Sequence, residues 1–415
     1  MKKTEWLNRN FVFLMLGQIA SLIGNGTLKF ALAMYVLERT GSAAVFAGML
    51  SAAMLPTIVL SPFGGVLADR MNRRALMIAL DALSGLAALL AGAALPLGCD
   101  LPLISALLVA LSALGAFESP TVQACVPQML SGDALEKGNA AVSQAAALAS
   151  LATPFLGSVV YTAVGMVPVL YAAAACFLLT ACLEGFIRLP PVQAGRMQSA
   201  AMLRADLRAD LRAGLRFLCR EQPDVLKWLL LAALTSLFIA GTAVVGFPFL
   251  VRTVLGLSAE LYGAAESAMA VAAVLGSLFA GLTAGRLRLC LAWVFLGVGA
   301  ALALAGGAFL APLDAMGRYL VLTAMFCACQ FGCSVFSTCA ISAIQRRTPE
   351  ALMGKVMAYV FTLSLCAQPL GQILYGALFD RCGARAYWVL IPSGLLVCLA
   401  GALSRRLLRR MGKGE

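Results

Sequence analysis

The sequence predicts an all-α polytopic membrane protein with twelve transmembrane helices, arranged as two pseudo-symmetric bundles of six. Three observations lead to this fold class. The chain is 61% hydrophobic and 12% charged, whereas soluble domains carry about 25% charged residues. Apolar runs of roughly twenty residues, the length that crosses a bilayer, recur from one end of the chain to the other. Basic residues collect in alternate connections between these runs, as they do in cytoplasmic loops.

The candidate spans follow one another along the chain with short connections. With the N-terminus inside, the connections that become cytoplasmic hold most of the 31 Lys and Arg residues. We therefore expect a multi-pass protein of the cell (plasma or inner) membrane with both termini in the cytoplasm. The net charge of +12 then belongs to loops that face anionic lipid headgroups, not to a nucleic-acid surface. The spans cover residues 11–37, 45–67, 75–96, 101–127, 140–164, 168–189, 225–251, 260–284, 289–311, 316–343, 352–379 and 385–408.

The longest polar insertion divides the chain into two halves. It runs from Pro190 to Pro223 and carries an arginine at every fourth position, with leucines beside them. This spacing predicts a basic amphipathic helix at 199–220 on the inner leaflet, which we expect to be a linker, with a regulatory role as the alternative. The predicted domains are an N-terminal six-helix bundle at 1–189, a cytoplasmic linker at 190–223 and a C-terminal six-helix bundle at 224–415.

The two halves repeat a local pattern, which supports their pseudo-symmetry. A short polar segment, residues 133–138 in one half and 350–355 in the other, precedes a span that contains a proline followed by a glycine. Proline removes a backbone donor and kinks a helix, and glycine lets a neighbouring helix approach closely. Parallel repeats of six spans are typical of transporters whose substrate site lies between the halves near the midplane. The helix-kink candidates are Pro154, Gly157, Pro369 and Gly371.

A charged turn separates the second and third spans. Residues 64–74 are Gly-Gly-Val-Leu-Ala-Asp-Arg-Met-Asn-Arg-Arg. We expect Asp69 to cap the next helix or to pair with a basic group. The pattern resembles the signature loop between helices 2 and 3 of the major facilitator superfamily, in which these residue types form a conformational latch. That family often has Gly where Met71 or Asn72 stands, so the resemblance implies a left-handed conformation, which Asn tolerates, at Asn72. The alternative is that the charges set topology alone. The resemblance implies a latch of Gly65, Asp69, Arg70, Arg73 and Arg74.

Further segments narrow the resemblance within that superfamily. The Gln-x-x-Ser-x-x-Gly pattern at 18–24 resembles its macrolide-efflux-like branch, as do the segments at 39–42, 126–127 and 138–140. This resemblance implies an exporter of drugs, siderophores or lysophospholipids, of a kind mostly described as proton-driven. Asn25 stands where this branch commonly places Asp, which removes one acidic group from the first span.

Ionisable side chains inside the spans are candidates for function because burying them is costly. A carboxyl group in a cavity of low dielectric constant can take up a proton from one side and release it to the other. The proton-coupling candidates are Glu118, Glu266 and Asp81. For each the alternative is a packing role, and Asp81 can instead belong to the gate network with the arginines of the latch. We expect Glu184, at the end of its span, to reach water.

Neutral polar side chains within spans should point away from lipid. Gln18 and Asn25 are seven residues apart and share one helix face. Lys29 either extends to the outer surface or serves as the counter-ion of a carboxylate or an anionic substrate. The substrate-cavity candidates are Gln18, Asn25, Lys29, Gln123, Gln144, Gln330, Gln368 and Gln372.

The predicted function is secondary active transport by alternating access, with proton-coupled export of macrolide-like or multidrug-like amphipathic molecules. The chain contains no histidine, which excludes a histidine metal site and a Ser-His dyad, and it has no Walker A motif. We therefore expect no enzyme activity, no cofactor and no metal. The expected partners are a small-molecule substrate, protons and membrane lipids, without nucleic acid, and the expected state is a monomer. The alternatives are a lysophospholipid or siderophore exporter or flippase, a transporter of an anionic substrate that uses Lys29, and a sensor that has lost transport.

Overall fold

The computed structural model of the chain describes residues 8–98, 100–188, 222–283 and 291–405. Within its helices, the side chains of residues 62–70, 350, 351, 354, 355 and 358 are not described. Throughout the described residues the regular secondary structure is helical, and no strand occurs among them. The predicted basic helix at 199–220 lies outside the described residues.

The described helices overlap the twelve predicted spans one for one, which confirms the predicted fold class. By length and composition, nine of them can cross a membrane in the part of the chain described, while α9 and α12 are apolar but shorter. The remaining helix, α11, has 33 residues. The helices are α1 (Arg9–Thr40), α2 (Ala43–Arg70), α3 (Arg73–Ala94), α4 (Asp100–Met129), α5 (Asp133–Val164), α6 (Met166–Gly185), α7 (Pro223–Val254), α8 (Ala259–Leu282), α9 (Leu291–Gly307), α10 (Ala315–Arg347), α11 (Glu350–Cys382) and α12 (Tyr387–Leu403).

The turn between α2 and α3 is closed by a helix cap. The backbone of Asn72 is extended, with φ −64° and ψ 105°, and its side-chain oxygen accepts a hydrogen bond from the Ala75 N–H at 3.3 Å. The prediction of a left-handed Asn72 is therefore wrong, because an N-cap residue needs an extended backbone to aim its side chain at the first turn. Asn72 fills the capping role that was considered for Asp69, whose side chain lies outside the described residues.

The helix α7 contains two π-helical stretches that the sequence did not predict. It is α-helical over Pro223–Ile239 and π-helical over Ala240–Gly246 and Leu250–Val254. In a π-helix each N–H bonds to the carbonyl five residues earlier, and the Leu255 N–H follows this pattern by donating to the Leu250 carbonyl at 2.8 Å.

The π-helical stretch packs against α11 through two glycines. A Cβ atom on Gly241 would lie 2.1 Å from the ring of Tyr375, and a Cβ on Gly246 would lie 2.3 Å from the ring of Phe379. Because glycine has no side chain, the two aromatic rings can pack directly against the backbone of α7. Tyr375 also hydrogen-bonds to Ser393 of α12 at 2.6 Å, so the hydroxyl of this buried ring has a partner.

Contacts between Cα atoms group the chain into two compact units. Unit 1 comprises Met1–Arg39, Met49–Met197 and Ala259–Ser267, and unit 2 comprises Thr40–Gly48, Gln198–Ser258 and Ala268–Glu415. The segment Thr40–Gly48 lies in the first half of the chain but belongs to unit 2, and the segment Ala259–Ser267 lies in the second half but belongs to unit 1. The predicted domain boundaries at 189/190 and 223/224 stay a prediction.

Each unit has a buried apolar cluster. In unit 1, Phe11 and Leu14 of α1 pack with Met77 of α3 and Val122 of α4. In unit 2 the largest fully buried side chain is Trp228. Many leucines on the outer faces remain exposed, as expected for a surface that faces lipid, where helices associate through close packing and not through exclusion of water.

In unit 2, the first turn of α2 is capped by a residue that is far away along the chain. The Asp380 carboxylate of α11 accepts hydrogen bonds from the backbone N–H groups of Ala43 at 2.6 Å and Ala44 at 3.1 Å, and from the Ser42 hydroxyl. These are the free donors at the beginning of α2. A carboxylate in this position satisfies them and also complements the positive end of the helix dipole.

Candidate functional site

A cleft of about 740 Å³ lies within unit 1, between α1, α2, α4 and α5. Its size falls in the range of about 300–1,000 Å³ that is usual for small-molecule sites. Its walls combine polar and aliphatic side chains in similar numbers. The polar lining residues are Gln18, Asn25, Lys29, Thr57, Ser112, Glu118, Ser119, Gln123, Asn139 and Ser143.

One face of α1 forms a wall of this cleft. Gln18, Leu22, Asn25 and Lys29 all line it, at intervals of three and four residues that keep them on one side of the helix. The adjacent face is held tightly, because a Cβ atom on Gly26 would lie 2.6 Å from the Thr153 hydroxyl oxygen of α5. This close approach fixes the rotation of α1 and turns its polar side chains toward the cleft.

Two groups in the wall are available to a ligand. The Asn25 Oδ1 atom is buried and has no hydrogen-bond partner, which is costly for an amide acceptor unless a ligand or water supplies a donor. Lys29 is exposed to the cleft and is close enough to Glu118 of α4 for the two charges to interact. In the structure, Lys29 lies at the cleft beside a carboxyl group.

Behind the cleft wall, Glu118 belongs to a group of three acidic side chains. The Ser21 Oγ atom of α1 lies 3.2 Å from Glu118 Oε1 and 3.2 Å from Asp81 Oδ1. Asp81 is 1% exposed and Glu184 of α6 is 3% exposed. Asp81 and Glu184 interact with each other, while the second oxygen of Glu184, Oε2, is buried without a hydrogen-bond partner.

The expectation that Glu184 reaches water is wrong. The helix α6 packs along α3, and a Cβ atom on Gly85 of α3 would lie 2.9 Å from the side chain of Leu178. This packing turns Glu184 toward Asp81 and not toward the end of the helix. Asp81 interacts with Glu118 and Glu184, and its membership of a gate network with the arginines of the latch stays a prediction.

The two described arginines of the predicted latch bind backbone carbonyls. Arg73 donates to the Ala124 carbonyl of α4 at 2.8 Å, and Arg74 donates to the Gly185 carbonyl at the end of α6. They hold the first turn of α3 against the neighbouring helices of unit 1. The side chains of Asp69 and Arg70 and the surroundings of Gly65 are not described, so the latch stays a prediction.

Glu266 of α8 lies apart from the cleft lining. It interacts with the Tyr262 hydroxyl, and its Oε2 atom is buried without a hydrogen-bond partner. Tyr262 in turn stacks on Phe30 of α1, with ring centroids 5.2 Å apart. Glu118 and Glu266 therefore have different surroundings, and only Glu118 of the two borders the cleft.

The other glutamine candidates do not line this cleft. Gln144 is exposed on α5, next to Ser143, which does line it. Gln330 of α10 borders a separate slot of about 30 Å³ in unit 2, whose walls are almost entirely apolar. Gln368 is half-buried and Gln372 is buried. Of the eight predicted cavity residues, four line the cleft: Gln18, Asn25, Lys29 and Gln123.

The predicted kink residues lie where helices meet. Pro154 and Pro369 are inside the continuous helices α5 and α11. A Cβ atom on Gly157 would lie 3.0 Å from Phe30, and one on Gly371 would lie 2.1 Å from the Leu237 carbonyl oxygen. Both glycines therefore stand at close helix contacts.

Sequence analysis left several of the site residues without a role. Ser21 was noted only as part of a motif, although it lies three residues after Gln18 within the first span. Asn139 and Ser143 are four residues apart on α5 and both line the cleft. This i, i+4 spacing of polar residues in an apolar helix was the available signal.

Comparisons with known proteins agree with this fold. A family model of the Major Facilitator Superfamily matches residues 14–366. The chain is 24% identical to Macrolide efflux protein A of Streptococcus pyogenes over 410 residues, 96% of each chain. Its fold resembles a bacterial homologue of the iron transporter ferroportin, at 17% identity and TM-score 0.71, covering 96% of this chain and 99% of that one.

Two other solved structures have the same fold. The nucleoside transporter NupG has 13% identity and a TM-score of 0.71, with 98% of this chain and 100% of that one covered. A D-xylose–proton symporter has 15% identity and a TM-score of 0.68, with 99% and 98% covered. The twelve helices and the family match lead to one conclusion: this multi-pass membrane transporter belongs to the Major Facilitator Superfamily.

Proposed function

We propose that this transporter exports amphipathic, macrolide-like small molecules in exchange for protons, by alternating access. The observation that carries the proposal is the cleft of about 740 Å³ in unit 1, where a carboxyl group, an unpaired amide acceptor and further polar side chains lie among aliphatic ones. A lining of both kinds suits an amphipathic molecule, because its apolar body and its polar groups can each be matched. The 24% identity to a macrolide efflux protein supports this substrate class.

The aliphatic part of the wall suits the apolar body of such a molecule. Leu22 of α1, Leu111 and Val126 of α4 and Val142 of α5 line the cleft between its polar groups. Apolar contacts contribute affinity without strict direction, whereas the few polar groups fix orientation. A site of this kind accepts several related molecules, which is what multidrug export requires.

Glu118 is the group through which export can be coupled to protons. As a carboxylate it can bind the protonated amine of a basic macrolide through a charge-assisted hydrogen bond. Once protonated, it loses its charge and its attraction for that amine, so proton binding and substrate binding at Glu118 compete. Competition at one site is sufficient for exchange, because the site returns loaded with either the proton or the substrate. We also propose that both termini lie in the cytoplasm, which the distribution of basic residues supports, and that the protein is a monomer.

Transport in proteoliposomes tests this function. Purified protein is reconstituted in vesicles with an acidic interior, and uptake of radiolabelled erythromycin is measured with and without the pH gradient. We expect gradient-dependent uptake, and at least a tenfold loss in Glu118→Gln, the factor that corresponds to one hydrogen bond to a charged group. Glu260→Gln is the matched control, since Glu260 is exposed at the start of α8. Uptake that ignores the gradient, or a Glu118→Gln variant equal to the wild type, would refute the proposal.

Lys29 favours a second candidate function, the transport of an anionic substrate such as a lysophospholipid or a siderophore. It is a cationic side chain exposed in the cleft, where an anionic headgroup can pair with it. The discriminating experiment compares Lys29→Ala with Lys29→Arg, using fluorescent lysophosphatidylglycerol and erythromycin as probes. The second candidate predicts that only Lys29→Ala loses lysolipid movement. Unchanged lysolipid movement in Lys29→Ala would exclude it.

A further inference from the structure

We propose that Ser21 relays a proton between Glu118, at the cleft, and the buried pair formed by Asp81 and Glu184. The inference rests on the proposed function, because it supplies the route for the proton that is exchanged at Glu118. It adds two residues, Ser21 and Glu184, that the sequence analysis did not place in the transport mechanism. The relay crosses unit 1 from α4 through α1 to α3 and α6.

The number of hydrogens available at Ser21 supports the relay. Its Oγ atom lies 3.2 Å from carboxyl oxygens of both Asp81 and Glu118. A serine hydroxyl has one hydrogen to donate and lone pairs to accept, so it can donate to only one of the two. If both carboxyl groups were ionised, Ser21 could donate to one of them only, and a lone pair of its oxygen would face a lone pair of the second carboxylate. The arrangement is satisfied when one carboxyl group carries a proton, donates it to Ser21, and Ser21 donates to the other.

The charges around Ser21 also favour a proton that is shared among the carboxyl groups. The buried carboxyl groups of Asp81 and Glu184 and the half-buried one of Glu118 interact with one another, and Lys29 is a cation that interacts with Glu118. On α4 the Cys125 thiol interacts with Glu184 and with Arg73 of α3. Keeping protons on this group avoids the cost of desolvating several negative charges close to one another. Among the described residues, no group of acidic or cysteine side chains is arranged to hold a metal ion in their place.

The transfer is balanced at each atom. The Glu118 carboxyl proton moves to Ser21 Oγ while the original Ser21 proton moves to Asp81 Oδ1, so Ser21 is neutral before and after. One proton has then passed from the cleft to the buried pair, and no group has been oxidised or reduced. The Asp81 carboxyl group can share that proton with Glu184, whose unpartnered Oε2 atom is the remaining buried acceptor.

Infrared spectroscopy of purified protein tests the relay without any substrate. The carbonyl-stretch band of protonated carboxyl groups is recorded while the pH is stepped, and its rate of change gives the rate of proton exchange. We expect Ser21→Ala to shift this band toward that of a carboxyl group without a hydrogen bond, and to slow exchange about tenfold or more, as for the loss of one hydrogen bond to a charged group. Ser21→Thr, which keeps the hydroxyl, should restore both band and rate.

Further variants separate a relay from a packing role. Ser84→Ala is the matched control, because Ser84 is a serine of α3 that is 3% exposed, and it should leave band and rate unchanged. Asp81→Asn keeps a polar partner for Ser21 but cannot take up the proton, so it should abolish proton exchange through Ser21 without loss of folded protein. If Ser21→Ala does not fold, Ser21→Cys, which retains only a weak donor, replaces it.

The outcomes distinguish the relay from the proposed function. An unchanged band and rate in Ser21→Ala or in Asp81→Asn would overturn the relay, even in a protein that transports erythromycin. A wild-type protein that shows the protonated band and loses it in Asp81→Asn and Glu118→Gln, yet moves no erythromycin, would keep the shared proton and refute the substrate class.

Discussion

Replacing Gly371 by alanine tests how closely α11 packs on α7 in unit 2. The added Cβ atom would lie 2.1 Å from the Leu237 carbonyl oxygen, whereas ordinary van der Waals contact begins at 3.4 Å, so the two helices must separate by roughly 1.3 Å. The atom in the way belongs to the backbone and cannot rotate aside. Overpacking of this kind costs about 1–3 kcal/mol, and the rigid neighbour favours the upper part of that range. Alanine also gains about 1 kcal/mol over glycine within a helix, which leaves a net destabilisation of about 1–2 kcal/mol.

Thermal unfolding in detergent, followed by intrinsic tryptophan fluorescence, measures the effect. Gly297→Ala is the matched control, because Gly297 lies inside α9 and an added Cβ there meets no atom within 4 Å. We expect Gly371→Ala to lower the unfolding temperature and Gly297→Ala to leave it unchanged or raise it. If Gly371→Ala is as stable as Gly297→Ala, the close contact of α11 with α7 does not exist as described.

Three further changes probe hydrogen bonds that fix helix ends and contacts. Asn72→Ala removes the side-chain cap of α3 and should destabilise the protein by about 1 kcal/mol, measured by thermal unfolding, with Asn72→Asp retaining the cap. Asp380→Ala removes the acceptor for the first N–H groups of α2 and for Ser42, and should cost about 1–2 kcal/mol, with an increase in hydrogen exchange at the first turn of α2. Tyr161→Phe removes the hydroxyl that donates to Glu38 at 2.5 Å and should cost about 1–3 kcal/mol by the same unfolding assay.

Each of these expectations has a result that contradicts it. An Asn72→Asp variant as unstable as Asn72→Ala would show that the cap is not the cause. Unchanged hydrogen exchange at the start of α2 would exclude the Asp380 cap. For Tyr161, the comparison is Tyr171→Phe, because Tyr171 is 43% exposed, and equal stability of the two phenylalanine variants would mean that the bond to Glu38 contributes nothing.

The helices could be predicted from the sequence because lipid imposes a simple rule on the chain. A segment that crosses a bilayer must be apolar over about twenty residues and must satisfy its own backbone. Nine of the described helices follow that rule by length and composition, and the charged residues at 69–74 marked one of the turns. Details at the turns were less accessible, as Asn72 illustrates, because a cap depends on a few backbone angles and not on composition.

The candidate site was predicted in part, and the reason lies in helix rotation. A polar residue in an apolar span must avoid lipid, so Gln18, Asn25 and Glu118 could be chosen from the sequence. Which polar residues share a cleft depends on the rotation of each helix, and close contacts such as Gly26 against α5 set that rotation. Glu184 was misjudged for the same reason, since its position along α6 is near the end but its direction is toward α3.

The wide turns of α7 affect how this chain should be aligned with its relatives. A π-helical turn holds more residues than an α-helical one, so residues 247–254 emerge rotated relative to where a regular helix would place them. An alignment that assumes uniform helical periodicity will assign the wrong direction to these side chains unless it allows an extra residue within Ala240–Gly246. Equivalences drawn for Phe247, Phe249 or Arg252 should therefore be made from superposed backbones and not from sequence register.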